Sequence, residues 1–224
     1  MQTGAAGVAE RKVPSHELTY MRLREMVLTG RLAPGQAVTI QGLTEELEAG
    51  MTPVREAIRR MCAEGALQPQ GNRRVSVPNL TPDLLDQIAF ARLTIEPRIA
   101  GLAAPQLTKA VIARLIEIDD AINPAILRKD IPGYLTGNHL FHFTLYRASG
   151  AQVLIDITQS LWLRFGPSLR VVAARYLANR LPDQHGAAIA AMRSGDGQAL
   201  ARAVEADIAQ GIAMVREALQ AGEI

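Results

Sequence analysis

The sequence predicts a mainly α chain: a small winged helix-turn-helix at the N-terminal end, then an antiparallel all-α helical bundle. Three observations predict it. Residues 39–77 read as two short helices, a tight turn and a two-stranded hairpin. No alternating strand pattern follows Pro78. Aromatic residues make up 4% of the 224 residues and hydrophobic residues 48%, a balance rich in Ala, Leu and Ile that suits packed helices better than sheet.

Taken in order, residues 1–14 are Gly/Ala-rich and aperiodic and read as disordered. A first helix covers about residues 17–28, closed by TGRLAPG. Leu43 and Leu47 share one face of the next helix. Ala49-Gly50 breaks it, with Gly50 expected in the left-handed conformation. Thr52 then reads as an N-cap and Pro53 as the first helical residue. In the following helix Val54, Ile58 and Met61 face the core, while Arg55, Glu56 and Arg59 lie off that stripe. Gly65 ends the helix. Residues 67–70 and 75–78 fit two short strands joined at Gly71-Asn72. Parts in this order present a helix to the DNA major groove and a wing beside it.

Charge points the same way. The net charge is only +2, but residues 51–78 carry five arginines against Glu56 and Glu64, a local +3, whereas residues 79–224 balance to zero. The basic excess therefore sits on the expected reading helix and wing. The single Cys62 excludes an intrachain disulfide and suits a reducing compartment. With no long apolar run and no signal-peptide pattern, a cytoplasmic location is expected.

Asn79-Leu80 reads as a linker between a DNA-binding domain over residues 15–78 and a second domain over residues 79–224. Thr81-Pro82 repeats the cap-plus-proline signal. Helices follow over about residues 82–103, 106–122, 133–148, 151–177, 181–194 and 196–221, with breaks at Pro105, Asn123-Pro124, Pro132, Gly150, Pro182 and Gly195. Pro167 should kink or split the fourth of these.

Several separated motifs resemble one family. LREMVLTGRLAPG is similar to the opening helix and loop of GntR-type transcriptional regulators, and TPVREAIRRMCAEGAL to their recognition helix. ARLTIEP, NHLFHFTLYRASG and DQHGAAIAAMRSGDGQALARAVEADI resemble successive segments of the FCD effector domain of the FadR class. The length suits the six-helix, VanR-like branch. The resemblance implies a cytoplasmic homodimer on a palindromic operator, with Thr52, Arg55, Arg59, Arg73 and Arg74 at the DNA. Two departures stand out. Met51 replaces the family's arginine before Thr-Pro, so either the operator differs or the base that arginine would read is read less strictly. Arg74 replaces a glycine at the wing tip.

The resemblance also implies a divalent-metal site. Its usual Asp and three His fall on Asn138, His142, His185 and Asp207. Two imidazoles, a carboxylate and an amide suit Zn²⁺, Ni²⁺ or Mn²⁺. The other reading makes His142 and His185 hydrogen-bonded core residues, with Asp207 bonded to one of them. Either way, a polar spot in an apolar bundle is the expected effector pocket, with Arg92, Asn138, His142 and His185 facing a small carboxylate such as an organic or sugar acid. Arg92 has a second reading, an internal ion pair with Glu96. Arg147, Trp162, Arg164, Arg170 and Arg175 are weaker candidates, and His139 points off the ligand face. A repressor released by an organic acid leads; a regulator with the ion itself as effector is the alternative. A metal-dependent enzyme is disfavoured, since no motif places a general base.

Overall fold

The computed structural model describes residues 15–178 and 182–224, with the side chains of 174–178 left out. The segment 1–14, expected to be disordered, and the Arg175 side chain lie outside the described residues. The chain begins with α1 (Ser15–Leu28), then β1 (Ala37–Thr39), α2 (Ile40–Glu46), α3 (Met51–Ala63), β2 (Gln68–Pro69) and β3 (Arg74–Ser76). Strand β3 lies between the other two, antiparallel to both, with Val38 opposite Val75 and Gln68 opposite Ser76. Leu23, Leu43, Val54, Met61, Val75 and Val77 close one apolar core among these elements.

The turn of the helix-turn-helix differs from the sequence expectation. The left-handed residue is Glu48 (φ 49°), and Gly50 is extended (φ −67°, ψ 158°) as the N-cap of α3. Thr52 is therefore inside the helix, not its cap. Pro53 still fits, because the first turn of a helix has no intrahelical acceptors for its N–H groups. Thr81-Pro82, the same dipeptide, does cap: Thr81 Oγ1 accepts from Leu84 N at 3.2 Å and Pro82 is the first helical residue. The wing strands are shorter than expected, Gln68–Pro69 and Arg74–Ser76. The turn between them runs through Gly71, Asn72 and Arg73, all at positive φ. Strand β1 has no sequence signal of its own and exists through its pairing with β3.

The second core is built from α4 (Pro82–Ala103), α5 (Lys109–Arg128), α6 (Ile131–Arg147), α7 (Gln152–Ala178), α8 (Gln184–Ser194) and α9 (Gly197–Gln220). A short 3₁₀ turn, Ala104–Gln106, carries Pro105 between α4 and α5. Helix α9 packs along α4 and α8, and α5 along α6. Asn123-Pro124 does not end a helix as expected. Pro124 lies inside α5, which stops at Lys129 (φ 56°). Asp120, the residue whose carbonyl Pro124 leaves without its N–H partner, is exposed, as is Pro124, so water can supply that bond. Helix α7 likewise continues through Pro167 without splitting.

Helix α7 also joins the two cores. Leu163 is buried in the first of them, although its neighbours Trp162 and Phe165 belong to the second. Ser160 Oγ and Arg164 Nε both donate to the Glu64 carbonyl, at 3.0 and 3.1 Å. That carbonyl sits at the C-terminal end of α3, where the helix dipole favours a cation. Gly65 (φ 71°) ends α3, and a side chain there would run into the Arg164 guanidinium at 2.6 Å. At Gly166 a Cβ would stand 3.2 Å from the Leu28 carbonyl oxygen of α1, so α7 crosses α1 at backbone range.

Candidate metal centre and nucleic-acid interface

One polar spot inside the second core draws on all six of its helices. Arg92 and Glu96 come from α4, Asp119 from α5, Asn138, His142 and Tyr146 from α6, Trp162 from α7, His185 from α8 and Asp207 from α9. Helical spacing does the local work. Arg92 and Glu96, Asn138 and His142, and His142 and Tyr146 are each four residues apart, hence on one face.

Proton bookkeeping fixes the imidazoles. Glu96 is fully buried and surrounded by donors: Arg92 Nε on Oε1, with Tyr146 Oη at 2.6 Å and Trp162 Nε1 at 3.0 Å on Oε2. Burial, then the charge of Glu96 and the hydrogen bond to it, raise the Tyr146 phenol well above its usual pKa. Its proton stays on and points at Glu96. Only the lone pairs of Tyr146 Oη remain for His142 Nδ1, 3.0 Å away, so His142 carries its proton on Nδ1 and turns Nε2 toward Asp207 Oδ2 at 3.0 Å. His185 repeats the pattern. Its Nδ1 meets Asp119 Oδ1 at 2.9 Å, a carboxylate that only accepts, and its Nε2 is buried without a hydrogen-bond partner.

Two imidazole lone pairs and a carboxylate therefore converge, with ligand atoms of His142, His185 and Asp207 within 4.8 Å of one another. Such a set is stable around a cation or a shared proton. Its electrostatics agree. Burial lowers the His185 pKa, but the hydrogen bond to Asp119 and the charges of Asp207, Asp119 and Asp183 outweigh it and raise the value. Without an ion, a proton shared at His142 Nε2 bonds Asp207: burial raises the Asp207 pKa, but that bond and the charges of His142, His185 and Arg92 in their protonated forms outweigh it and lower the value. The residues fit a divalent ion: neutral imidazoles oriented from behind by a carboxylate and a phenol, and an ionised Asp. Asn138 is buried and borders the adjoining cavity with Arg92, Trp162 and Asp207. That cavity measures about 20 Å³, room for one water or ion and not for an organic acid.

In the N-terminal unit, α3 exposes Met51, Thr52, Arg55, Glu56 and Arg59, and the wing exposes Arg73 and Arg74. Gly50 offers no side-chain cap, so the first N–H groups of α3 stay open to a phosphate. The arginines are not equivalent. Arg55 has no ion pair among the described residues. Arg59 is held by Glu56 at 2.6 Å. Arg60 faces α1, bonded to Glu17 at 3.0 Å and stacked 3.6 Å over the Tyr20 ring; it is structural.

Residues 16–77 match the gntR family of bacterial regulatory proteins, and residues 87–210 match the FCD domain. The chain belongs to the GntR family, in the group that carries an FCD domain. It is 31% identical over 147 residues to the HTH-type transcriptional regulator McbR of Escherichia coli K12, an alignment covering 66% of each chain. It is 23% identical over 214 residues to the repressor RspR of the same organism, covering 91% of each. The chain spans just under two thirds of McbR and 55% of a Streptomyces ambofaciens regulator in those alignments. The solved E. coli McbR/YncC structure superposes with a TM-score of 0.83 at 24% identity, over 92% of this chain and 99% of that one. A GntR regulator from Rhodococcus sp. RHA1 gives 0.72 at 19% identity, over 91% and 98%. These relatives are regulators rather than enzymes, and no described helix is long and apolar enough to cross a membrane.

Within this GntR fold the weaker candidates separate. Arg92 forms the ion pair with Glu96 and lies 4.5 Å over the Trp162 ring, so it is committed internally while still bordering the cavity. Arg164 and Arg170 are not pocket residues: they hold the Glu64 and Thr29 carbonyls of the DNA-binding half. Arg147 is exposed. His139 points away from the ligand atoms, stacked 4.4 Å from Phe143, and burial, with Arg24, Arg147 and His142 nearby, lowers its pKa to about 3. Sequence reasoning missed Asp119 and the relay through Tyr146. Tyr146 had a signal, its i, i+4 offset from His142. Asp119, 66 residues from His185, had none.

Proposed function

We propose that this GntR-family protein is a ligand-responsive transcriptional regulator acting as a homodimeric repressor on a palindromic operator. Arg55, Thr52, Met51 and the open N-terminus of α3 face the major groove, Arg59 joins them when DNA releases it from Glu56, and Arg73 and Arg74 reach the flanking backbone. In the FCD domain, His142, His185 and Asp207 hold a divalent ion, with Asn138 as a further oxygen donor. The observation that carries the metal reading is the buried, unpartnered His185 Nε2 facing His142 Nε2 and Asp207. Bound there, an ion supplies a fixed positive charge that an effector carboxylate can complete.

The route to DNA runs through α7. His142 is tied through Tyr146 to Glu96, and Glu96 accepts from Trp162. One turn of α7 carries both Trp162 and the Ser160–Arg164 grip on Glu64. A change at the centre therefore shifts the helix that holds the end of α3. The cavity of about 20 Å³ favours a second reading, in which the ion itself is the effector and no organic acid enters. Operator affinity measured on chelator-stripped protein, then with Zn²⁺, Ni²⁺ or Mn²⁺, then with added organic acids, separates the two. Release by an acid only on loaded protein supports the first; release or tightening by metal alone supports the second. No response to either overturns both.

A further inference from the structure

A second cleft lies between α1 of the DNA-binding half and α6 of the effector half. It is lined by Met21, Arg24, Leu28, Leu135, His139 and Leu140, and also by Glu25, Thr29 and Thr136, and measures about 220 Å³. Two polar atoms at this cleft are buried without hydrogen-bond partners: Arg24 Nε and His139 Nε2. Arg24 reaches only the neutral Gln159 Oε1 at 3.3 Å and has no ion pair among the described residues. Unsatisfied buried donors are uncommon and costly, and a guanidinium is built to receive a carboxylate. Met21, Leu28, Leu135 and Leu140 form the apolar part of the walls, and Met21 and Leu140 are partly exposed at 52% and 38%. The ligand atoms of the metal centre do not line it, and the volume suits a ligand smaller than drug-sized.

We propose that this cleft is a second ligand site, taking a monocarboxylate with a compact apolar body, its carboxylate on Arg24 and its body against Leu28, Leu135 and Leu140. The site is independent of the metal centre. Because one wall belongs to each half, a ligand there touches both the DNA-binding domain and the helix that carries His142.

The test uses zinc-loaded full-length protein, with octanoate and benzoate as probes and octanol and benzylamine as controls, each to about 10 mM, read by calorimetry and thermal shift. Stabilisation by the acids alone is expected. Arg24→Gln should weaken binding at least about tenfold. Leu140→Trp, which fills the mouth from a partly exposed position, should abolish it while Arg24 remains in place. His142→Ala with His185→Ala should leave it unchanged, which separates this site from the metal centre. Binding that survives both Arg24→Gln and Leu140→Trp, binding lost in the double histidine variant, or no binding of either acid overturns the proposal.

Discussion

Glu96 shows how one residue sets the state of a site it does not belong to. It neutralises Arg92, accepts the Tyr146 hydrogen bond and so dictates which nitrogen of His142 faces Asp207. Glu96→Gln should leave Arg92 buried without a counter-charge, destabilising the fold by about 3 kcal/mol in urea denaturation, and should weaken zinc binding by freeing the His142 tautomer; unchanged stability would refute the pairing. His139 gives a pH test. Its folded pKa, about 3, lies below the unfolded value of about 6.5. Its contribution is complete above about pH 6.5 and is lost as pH falls, because the unfolded chain takes up the proton first. His139→Phe removes that term, so the melting temperature of the variant relative to wild type should rise between about pH 7 and pH 5.

Among the elements, α3 divides its arginines by face. Arg55→Ala should reduce operator affinity by at least about tenfold with the melting temperature unchanged; near-normal affinity would refute its place at the DNA. Arg60→Ala should do the reverse, lowering stability by about 1 kcal/mol through loss of the Tyr20 stack and the Glu17 pair, with a smaller effect on DNA. Helix α3 also shows where local signals fail. Thr-Pro marks a helix start at both 52–53 and 81–82, but proline is tolerated anywhere in the unbonded first turn, so the dipeptide fixes the start only to within a residue or two. Asn123-Pro124 fails for a related reason, since an exposed helix face lets water replace the bond that proline removes.

For the whole molecule, α7 is the shared beam. Arg164→Met should leave metal binding within about twofold and operator binding measurable, while removing the response of one to the other; retained coupling would place the route elsewhere. The contacts at the middle of that helix are invisible locally: Trp162, Leu163 and Arg164 are consecutive in one run, and only the crossing over α1 and the end of α3 sends Trp162 to one core, Leu163 to the other and Arg164 to the Glu64 carbonyl.

The sequence by itself determined the class of the protein, a winged helix-turn-helix and a helical effector domain, because helix periodicity, caps and motifs are local properties, each written within a few residues; the candidate ligands His142, His185 and Asp207 came from the family resemblance. Tertiary structure alone decided the rest. It brought Asp119 behind His185, joined Tyr146 to Glu96, tied Arg164 to Glu64 and left Arg24 without a counter-charge. Each depends on side chains tens of residues apart meeting at hydrogen-bond range, and that distance is set by how the helices pack.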